Sequence, residues 1–529
     1  MISKHSGCFS VLVVLIFFTV SCSSPPLTTT VEVTGGTIEG AEQDGIFSYK
    51  GIPFAAPPVG DLRWKAPQPA KAWTGVRSAD TYARGCMQDS SMAAMTGSPA
   101  NFSEDCLYLN IWSAAENVDE KRPVMVWIHG GAFVGGMTGT TMFDGTKFAQ
   151  KGVVLVSIAY RLGVFGFMAQ PELSRESGKG SGTYGLQDMI AGLQWVKDNI
   201  AQFGGDPSRV TIFGESAGGI AVGMLSAAPP AKGLFQRAIS ESGGSFAPPR
   251  IADGAGQNVP SLKLAESDGE SFLKKLGVAD IKAARALPAE KIQEATGGGM
   301  GGVRFWPVAD GYVIPGDPYE LYEKGRFNDT PILAGTNSNE GGLFMRAPVT
   351  AKDFEEQIRS GYGERADVIL KAYPHSTDAE AARASADVFR EFAFAWPTWA
   401  WARMQSRMGK GKAFVYYYDH RTPASPNGAN HAAEVSYVFG NFGGPGGAPR
   451  PEDLALSDLI QAYWINFAES GDPNGPGLPN WPNFTEKDQN VLYFDTSASA
   501  KPIPNLEKLK AFDAYYSWLR EQARANSGQ

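Results

Sequence analysis

Short apolar runs alternate with amphipathic stretches along most of the chain. Residues 123–128, 153–160, 210–213, 237–240, 331–335 and 413–418 are short runs with aliphatic, β-branched or aromatic residues at their centres. Runs of this length without polar alternation read as strands buried on both faces. Elsewhere the period changes to three and four. Leu186, Met189, Ile190, Leu193, Val196, Ile200 and Phe203 repeat at helical spacing, and Gly204-Gly205 ends the segment. Helices alternating with strands predict an α/β fold with a central, mostly parallel sheet flanked by helices. Phe392, Phe394, Trp396, Trp399 and Trp401 crowd one further helix. Core packing accounts for most of them, and with Phe133 and Phe165 some would wall an aromatic cleft. The glycine-rich pieces 297–302 and 443–447 predict mobile surface loops.

One strand carries the chemistry. The run 210–213 passes straight into Gly214-Glu215-Ser216-Ala217-Gly218, and residues 217–227 are small and aliphatic, as in a helix. A strand that turns at once into a helix strains the residue at the turn, and glycines two places to either side remove Cβ atoms that would clash. Ser216 then projects from the tip, facing the first amides of the helix and the positive end of its dipole. In a chain with 62 glycines the bare motif would occur by chance. Its position between strand and helix makes Ser216 a candidate nucleophile.

Composition narrows the partners. A formal charge of −8 with no Lys/Arg block argues against nucleic acid. No Cys/His cluster or phosphate loop points to a metal or organic cofactor, so none is expected. Residues 1–21 read as a signal peptide, with Lys4 and His5 ahead of the apolar run 11–20. Thr19-Val20-Ser21-Cys22 is similar to a bacterial lipoprotein box, although Thr19 departs from it. Cys22 is then either the lipidated first residue of the mature chain, giving membrane attachment, or part of a protein cleaved and released. Both place the protein outside the cytoplasm, secreted or in the cell envelope. At 529 residues two or three domains would fit, but α/β folds reach this size as one unit.

Several blocks, in order, carry a family resemblance. They are Tyr49-Lys50-Gly51-Ile52-Pro53-Phe54-Ala55 with Pro57-Pro58-Val59-Gly60, Glu104-Asp105-Cys106-Leu107-Tyr108-Leu109-Asn110, His129-Gly130-Gly131-Ala132-Phe133, Tyr160-Arg161-Leu162-Gly163, the Ser216 elbow, and Trp481-Pro482. Together they resemble the type-B carboxylesterase and cholinesterase family of the α/β-hydrolases. The resemblance implies a single α/β-hydrolase domain over 22–529, with elaborations around the cleft. It implies a serine carboxylic-ester hydrolase working through an acyl-enzyme, with a small-molecule ester as its partner.

The resemblance also supplies the remaining residues. Of five histidines, His431 lies in a stretch matching the family's catalytic-histidine loop, with His420 in reserve. The acid should fall between Ser216 and the histidine. Glu340, in Thr336-Asn337-Ser338-Asn339-Glu340-Gly341, matches the family's acid loop; Asp310 is the alternative and reads better as a turn cap. The amides of Gly130, Gly131 and Ala217 correspond to the oxyanion hole, and Glu215, Ser242 and Glu434 fall in motifs around the site. Cys86 and Cys106 correspond to a disulfide, as suits an oxidising compartment. Cholinesterases carry a tryptophan in this loop to receive a quaternary ammonium. Residues 87–105 contain none, only Met87, Met92 and Met95 as soft apolar surface, which favours neutral, apolar or aromatic esters. Two other functions share the fold: a silent adhesion or binding module, and a lipase acting at interfaces.

Overall fold

The computed structural model describes residues 25–91, 100–250, 259–298, 302–345, 348–442 and 448–527. Residues 1–24, expected to direct export and including Cys22, the methionines Met92 and Met95, residues 299–301 of one glycine-rich piece and all of 443–447 lie outside the described residues.

All six apolar runs become strands of one 11-stranded sheet. In chain order its strands are β1 (Ala41–Gln43), β2 (Ile46–Pro53), β3 (Tyr108–Ser113), β4 (Arg122–Ile128), β5 (Val154–Ile158) and β6 (Gly205–Glu215). They continue as β7 (Arg237–Glu241), β8 (Ile332–Asn337), β9 (Ala413–Tyr418), β10 (Asn490–Phe494) and β11 (Ala498–Pro502). Across the sheet the order is β11-β10-β9-β8-β7-β6-β4-β5-β3-β2-β1. Neighbours from β10 to β5 run parallel, and antiparallel strands close both edges.

Strand β4 shows why these runs are largely apolar. Val124, Val126 and Ile128 enter the core on one face, and Met125 and Trp127 the core on the other. Burying each such side chain stabilises by about 1.5–3 kcal/mol relative to exposure. The first core is covered by α1 (Tyr184–Asn199), α2 (Ala217–Ser226), α4 (Trp396–Met408) and α6 (Leu506–Ser527). The second is covered by α5 (Pro451–Ser470), through Leu456, Ile460, Tyr463, Trp464 and Phe467. Helix α3 (Asp378–Arg390) joins α4 through a π-helical turn, Glu391–Ala395. No helix among the described residues is long and apolar enough to cross a membrane.

Two boundaries differ from the pattern-based expectation. The helix over 186–203 is α-helical only to Asn199, and Ile200–Phe203 tightens to a 3₁₀ turn before Gly204 ends it with φ 76°. Strand β6 starts five residues before the apolar run. Its early part is polar, with Arg209 and Asp206 paired at 3.0 Å, and the pairing register shifts between Gly205 and Val210. Trp396, Trp399 and Trp401 pack in the core, and Trp399 and Trp401 donate their N–H groups to Gln489 and Tyr322. Phe133 and Phe165 are core residues too. Cys86 and Cys106 are bonded to each other.

Candidate active site

The C-terminal ends of the parallel strands gather the candidate residues at one edge of the sheet, where ligands bind in open α/β folds. Strand β6 ends at Glu215, and Ser216 comes next with φ 55° and ψ −123°. This strained conformation holds because the surroundings over-determine it. The Ser216 amide donates to the Glu241 carbonyl at the end of β7 (2.9 Å), and its own carbonyl accepts the Ile220 amide of α2 (2.8 Å). The flanking glycines are required by close approach. A Cβ on Gly218 would sit 2.0 Å from the Ile128 carbonyl oxygen, and one on Gly214 2.5 Å from the same atom.

Strand β4 delivers the His129–Phe133 loop against this elbow. A Cβ on Gly130 would lie 3.1 Å from that of Ser216, so only glycine lets the loop pass this close. Gly131, Ala132 and Phe133 all have positive φ. The loop is pinned by the Tyr160 hydroxyl, which donates to the His129 carbonyl (2.8 Å), and by the Gly163 amide, which donates to that of Phe133 (2.7 Å). Among the described residues the amides of Gly130, Gly131 and Ala217 donate to no protein group. Three amides in the loops meeting the half-buried Ser216 are thus left without a protein partner among the described residues.

Glu340 lies just beyond β8 and is fully buried. Its Oε2 lies 2.6 Å from Nδ1 of His431, and its Oε1 accepts the Ser242 hydroxyl (2.6 Å) and the Asn337 amide (2.7 Å). The acid and histidine loops are zipped together by the Asn339 amide donating to the Ala429 carbonyl (2.9 Å), the Ala429 amide to Ser338 Oγ (2.9 Å), and the Asn339 side chain to that of Asn430 (3.0 Å). The other ring nitrogen of His431, Nε2, lies 3.2 Å from Glu215 Oε1, off the hydrogen-bonding direction, and Oε1 has no hydrogen-bond partner. The Ser216 hydroxyl makes no hydrogen bond among the described residues.

The sequence profile of the carboxylesterase family matches residues 27–512. The chain belongs to that family. It is 36% identical over 485 residues to a fumonisin B1 esterase of Sphingopyxis macrogoltabida, covering 87% of this chain and 85% of the relative. It is 34% identical over 495 residues to a para-nitrobenzyl esterase of Bacillus subtilis, covering 89% and 96%. A solved carboxylesterase of Geobacillus stearothermophilus superposes with a TM-score of 0.79 at 35% identity, over 92% of this chain and all of that one. The fold is therefore the α/β-hydrolase fold, and the protein is a carboxylic-ester hydrolase.

Buried carboxylates set the electrostatics of this carboxylesterase. Burial raises the carboxyl of Glu215 well above its usual range, with Glu434 and Glu340 adding to the shift and His431 opposing it. Burial and the nearby Glu340 raise Glu434 as well, while Asn337 donates to it. Burial of the His431 ring works against its charged form, but Glu215 and Glu340 outweigh it and raise the ring to about 9. His129 has no such partner, so burial lowers it to about 4. It stays neutral and its Nδ1–H donates to the Gly130 carbonyl (2.8 Å).

The reserve candidates are occupied elsewhere. Asp310 accepts the amides of Tyr312, Val313 and Ile314 and the Thr183 hydroxyl, as a turn cap does. His420 lies between Asp453 (2.7 Å) and the Asp495 carbonyl (2.6 Å). Two groups near the site are new. Glu241, buried, accepts the Trp464 N–H at 2.8 Å and is raised well above the carboxylate range by burial. Around His431 stand Phe394, stacked at 4.6 Å and 19°, and Phe344 at 5.2 Å, with Phe389 touching both. The aromatic crowding at 392–401 was the only sequence signal for this, and it did not single out Phe394.

Proposed function

We propose that Ser216, His431 and Glu340 form the catalytic triad of this esterase and that it cleaves neutral esters with apolar or aromatic groups. The observation that carries the assignment is the 2.6 Å contact between Glu340 and His431 Nδ1, made beside a strained serine met by loops with three unspent amides. Ser216 Oγ attacks the ester carbonyl while His431 Nε2 takes its proton. The amides of Gly130, Gly131 and Ala217 hold the oxyanion. His431 returns the proton to the leaving alcohol, then activates the water that releases the acid. Glu340 fixes the imidazole tautomer and stabilises its charged form, and Ser242 fixes Glu340. Glu215, 3.2 Å from Nε2, and the buried Glu434 both act on the ring, raising its affinity for the proton. The serine–histidine hydrogen bond absent from the free enzyme forms as substrate seats, as is common in such sites.

The substrate class rests on the phenylalanines around His431 and on the absence of a tryptophan in residues 87–105. A relative named for para-nitrobenzyl esters supports it. Export also belongs to the proposal. A bonded Cys86–Cys106 pair suits an oxidising compartment, and a lipid on Cys22 would tether the enzyme to a membrane.

Hydrolysis of a para-nitrophenyl ester tests the triad. Ser216→Ala and His431→Ala should each lower kcat by about 10⁵–10⁶ with the far-UV spectrum unchanged. Glu340→Gln should also cause a large loss, whereas Asp310→Asn should keep most of the activity. A folded Ser216→Ala protein with near wild-type turnover would sink the assignment.

A further inference from the structure

A cavity of 810 Å³ lies behind the acid loop, lined by Ser338 and Asn339, the two residues before Glu340. One face of α3 forms a second wall with Glu380, Arg383 and Asp387. The histidine loop adds Asp419, Arg421 and Asn427, and Asn505 just before α6 and Lys508 in its first turn also line it. Its carboxylates are already engaged. Asp387 takes Lys508 at 2.6 Å and Arg390 at 3.1 Å, Asp419 faces Arg421 at 3.3 Å, and Glu380 accepts the Ser376 amide at 2.9 Å.

The unspent capacity is on the donor side. Among the described residues Arg383 has no ion pair or hydrogen bond, and the Tyr417 hydroxyl and the Asn427 and Asn505 side chains have no partner either. The Tyr417 hydroxyl, raised further by burial, stays protonated and can donate. These donors stand on different walls, so they suit a ligand with several acceptor oxygens rather than one. The volume lies in the range of pockets for organic molecules and far exceeds one inorganic ion. Guanidinium groups match carboxylates in geometry and charge.

We propose that this cavity is a second binding site, for a small organic polycarboxylate, and that its occupant braces the loops carrying Glu340 and His431. The bracing arises from contact with Ser338, Asn339 and Asn427, which belong to or adjoin the hydrogen-bonded zipper between those loops. Arg390 links the floor to the same zipper by donating to the Ser338 carbonyl (2.8 Å). The bracing rests on the triad proposed above; the binding does not.

Citrate is the probe. Calorimetric titration of the whole protein should show saturable binding, weakened about tenfold or more by Arg383→Glu and less by Tyr417→Phe. Arg383 is an exposed helix residue, so its replacement should leave ester hydrolysis without citrate unchanged. Citrate should change kcat of the wild type but not of Arg383→Glu, against sodium chloride at matched ionic strength. Absent binding, or equal binding by Arg383→Glu, overturns the site. Inorganic phosphate binding as tightly as citrate overturns the organic ligand class. Citrate binding that leaves wild-type kcat unmoved overturns the bracing. A failure of Ser216→Ala to lose activity would remove the triad and leave the calorimetric result standing.

Discussion

His431 Nε2 lies 3.2 Å from a carboxylate other than the acid on its Nδ1. These two buried carboxyl groups outweigh the burial of the ring and raise it to about 9. In the proposed mechanism the neutral ring accepts the Ser216 proton, so kcat/KM should rise with pH through about 9, well above the ordinary imidazole value of 6.5. Stability should run the opposite way. A folded-state pKa raised above the unfolded one contributes stability that is complete below about 6.5 and is lost as pH rises through about 9. Glu215, also raised, acts in the same direction. Glu215→Gln should move the activity limb down toward 6.5, as a pH–rate profile would show; an unmoved limb would mean that Glu215 does not act on the ring. The proposed nucleophile Ser216 stood out in the sequence because strand, serine and glycines are contiguous, and the proposed partners Glu340 and His431 because their loops match family motifs. The Glu215 contact did not, since it joins residues from distant parts of the chain and depends on how β6 and the histidine loop meet.

At the scale of an element, the π-helical turn Glu391–Ala395 is the informative piece. Such turns recur at functional sites, because the extra residue rotates the succeeding helical turns about the axis. Here the turn lies between α3 and α4 and carries Phe394, which stacks on His431 while the tryptophans after it enter the core. Apolar periodicity can place the helix but not a one-residue slip within it, so the sequence does not separate this ring from its neighbours. A ring stacked on an imidazolium contributes about 0.5–2 kcal/mol. Phe394→Leu keeps the apolar volume roughly and removes the π face. It should lower kcat between about twofold and thirtyfold and shift the pH limb downward, and Phe394→Trp should restore both. A loss of kcat with no shift in the limb would assign Phe394 to packing alone.

Across the whole molecule, strands of separate origin deliver their loops to one sheet edge, and the contacts beyond that edge decide how firmly they are held. The disulfide loop is tied to the oxyanion loop. The Gln88 side chain donates to the Gly136 carbonyl (2.8 Å) and accepts the Gly136 amide (3.0 Å), two residues from Cys86. Gly136 in turn packs against His129, where even a Cβ would lie 2.3 Å from the ring. The bond between Cys86 and Cys106 spans a sequence separation of 20, and closing a loop of that size contributes about 3 kcal/mol. Replacing both cysteines by serine should therefore lower the melting temperature by several degrees. It should also lower kcat more than it raises KM, because the Gly130 and Gly131 amides are assigned to the oxyanion, which develops only after binding. The loss should stay below the roughly 10²–10³-fold typical of deleting one such donor, since the loop keeps its hydrogen bonds from Tyr160 and Gly163. A double variant that melts earlier yet turns over at the wild-type rate would show that Gln88 holds Gly136 without help from the disulfide.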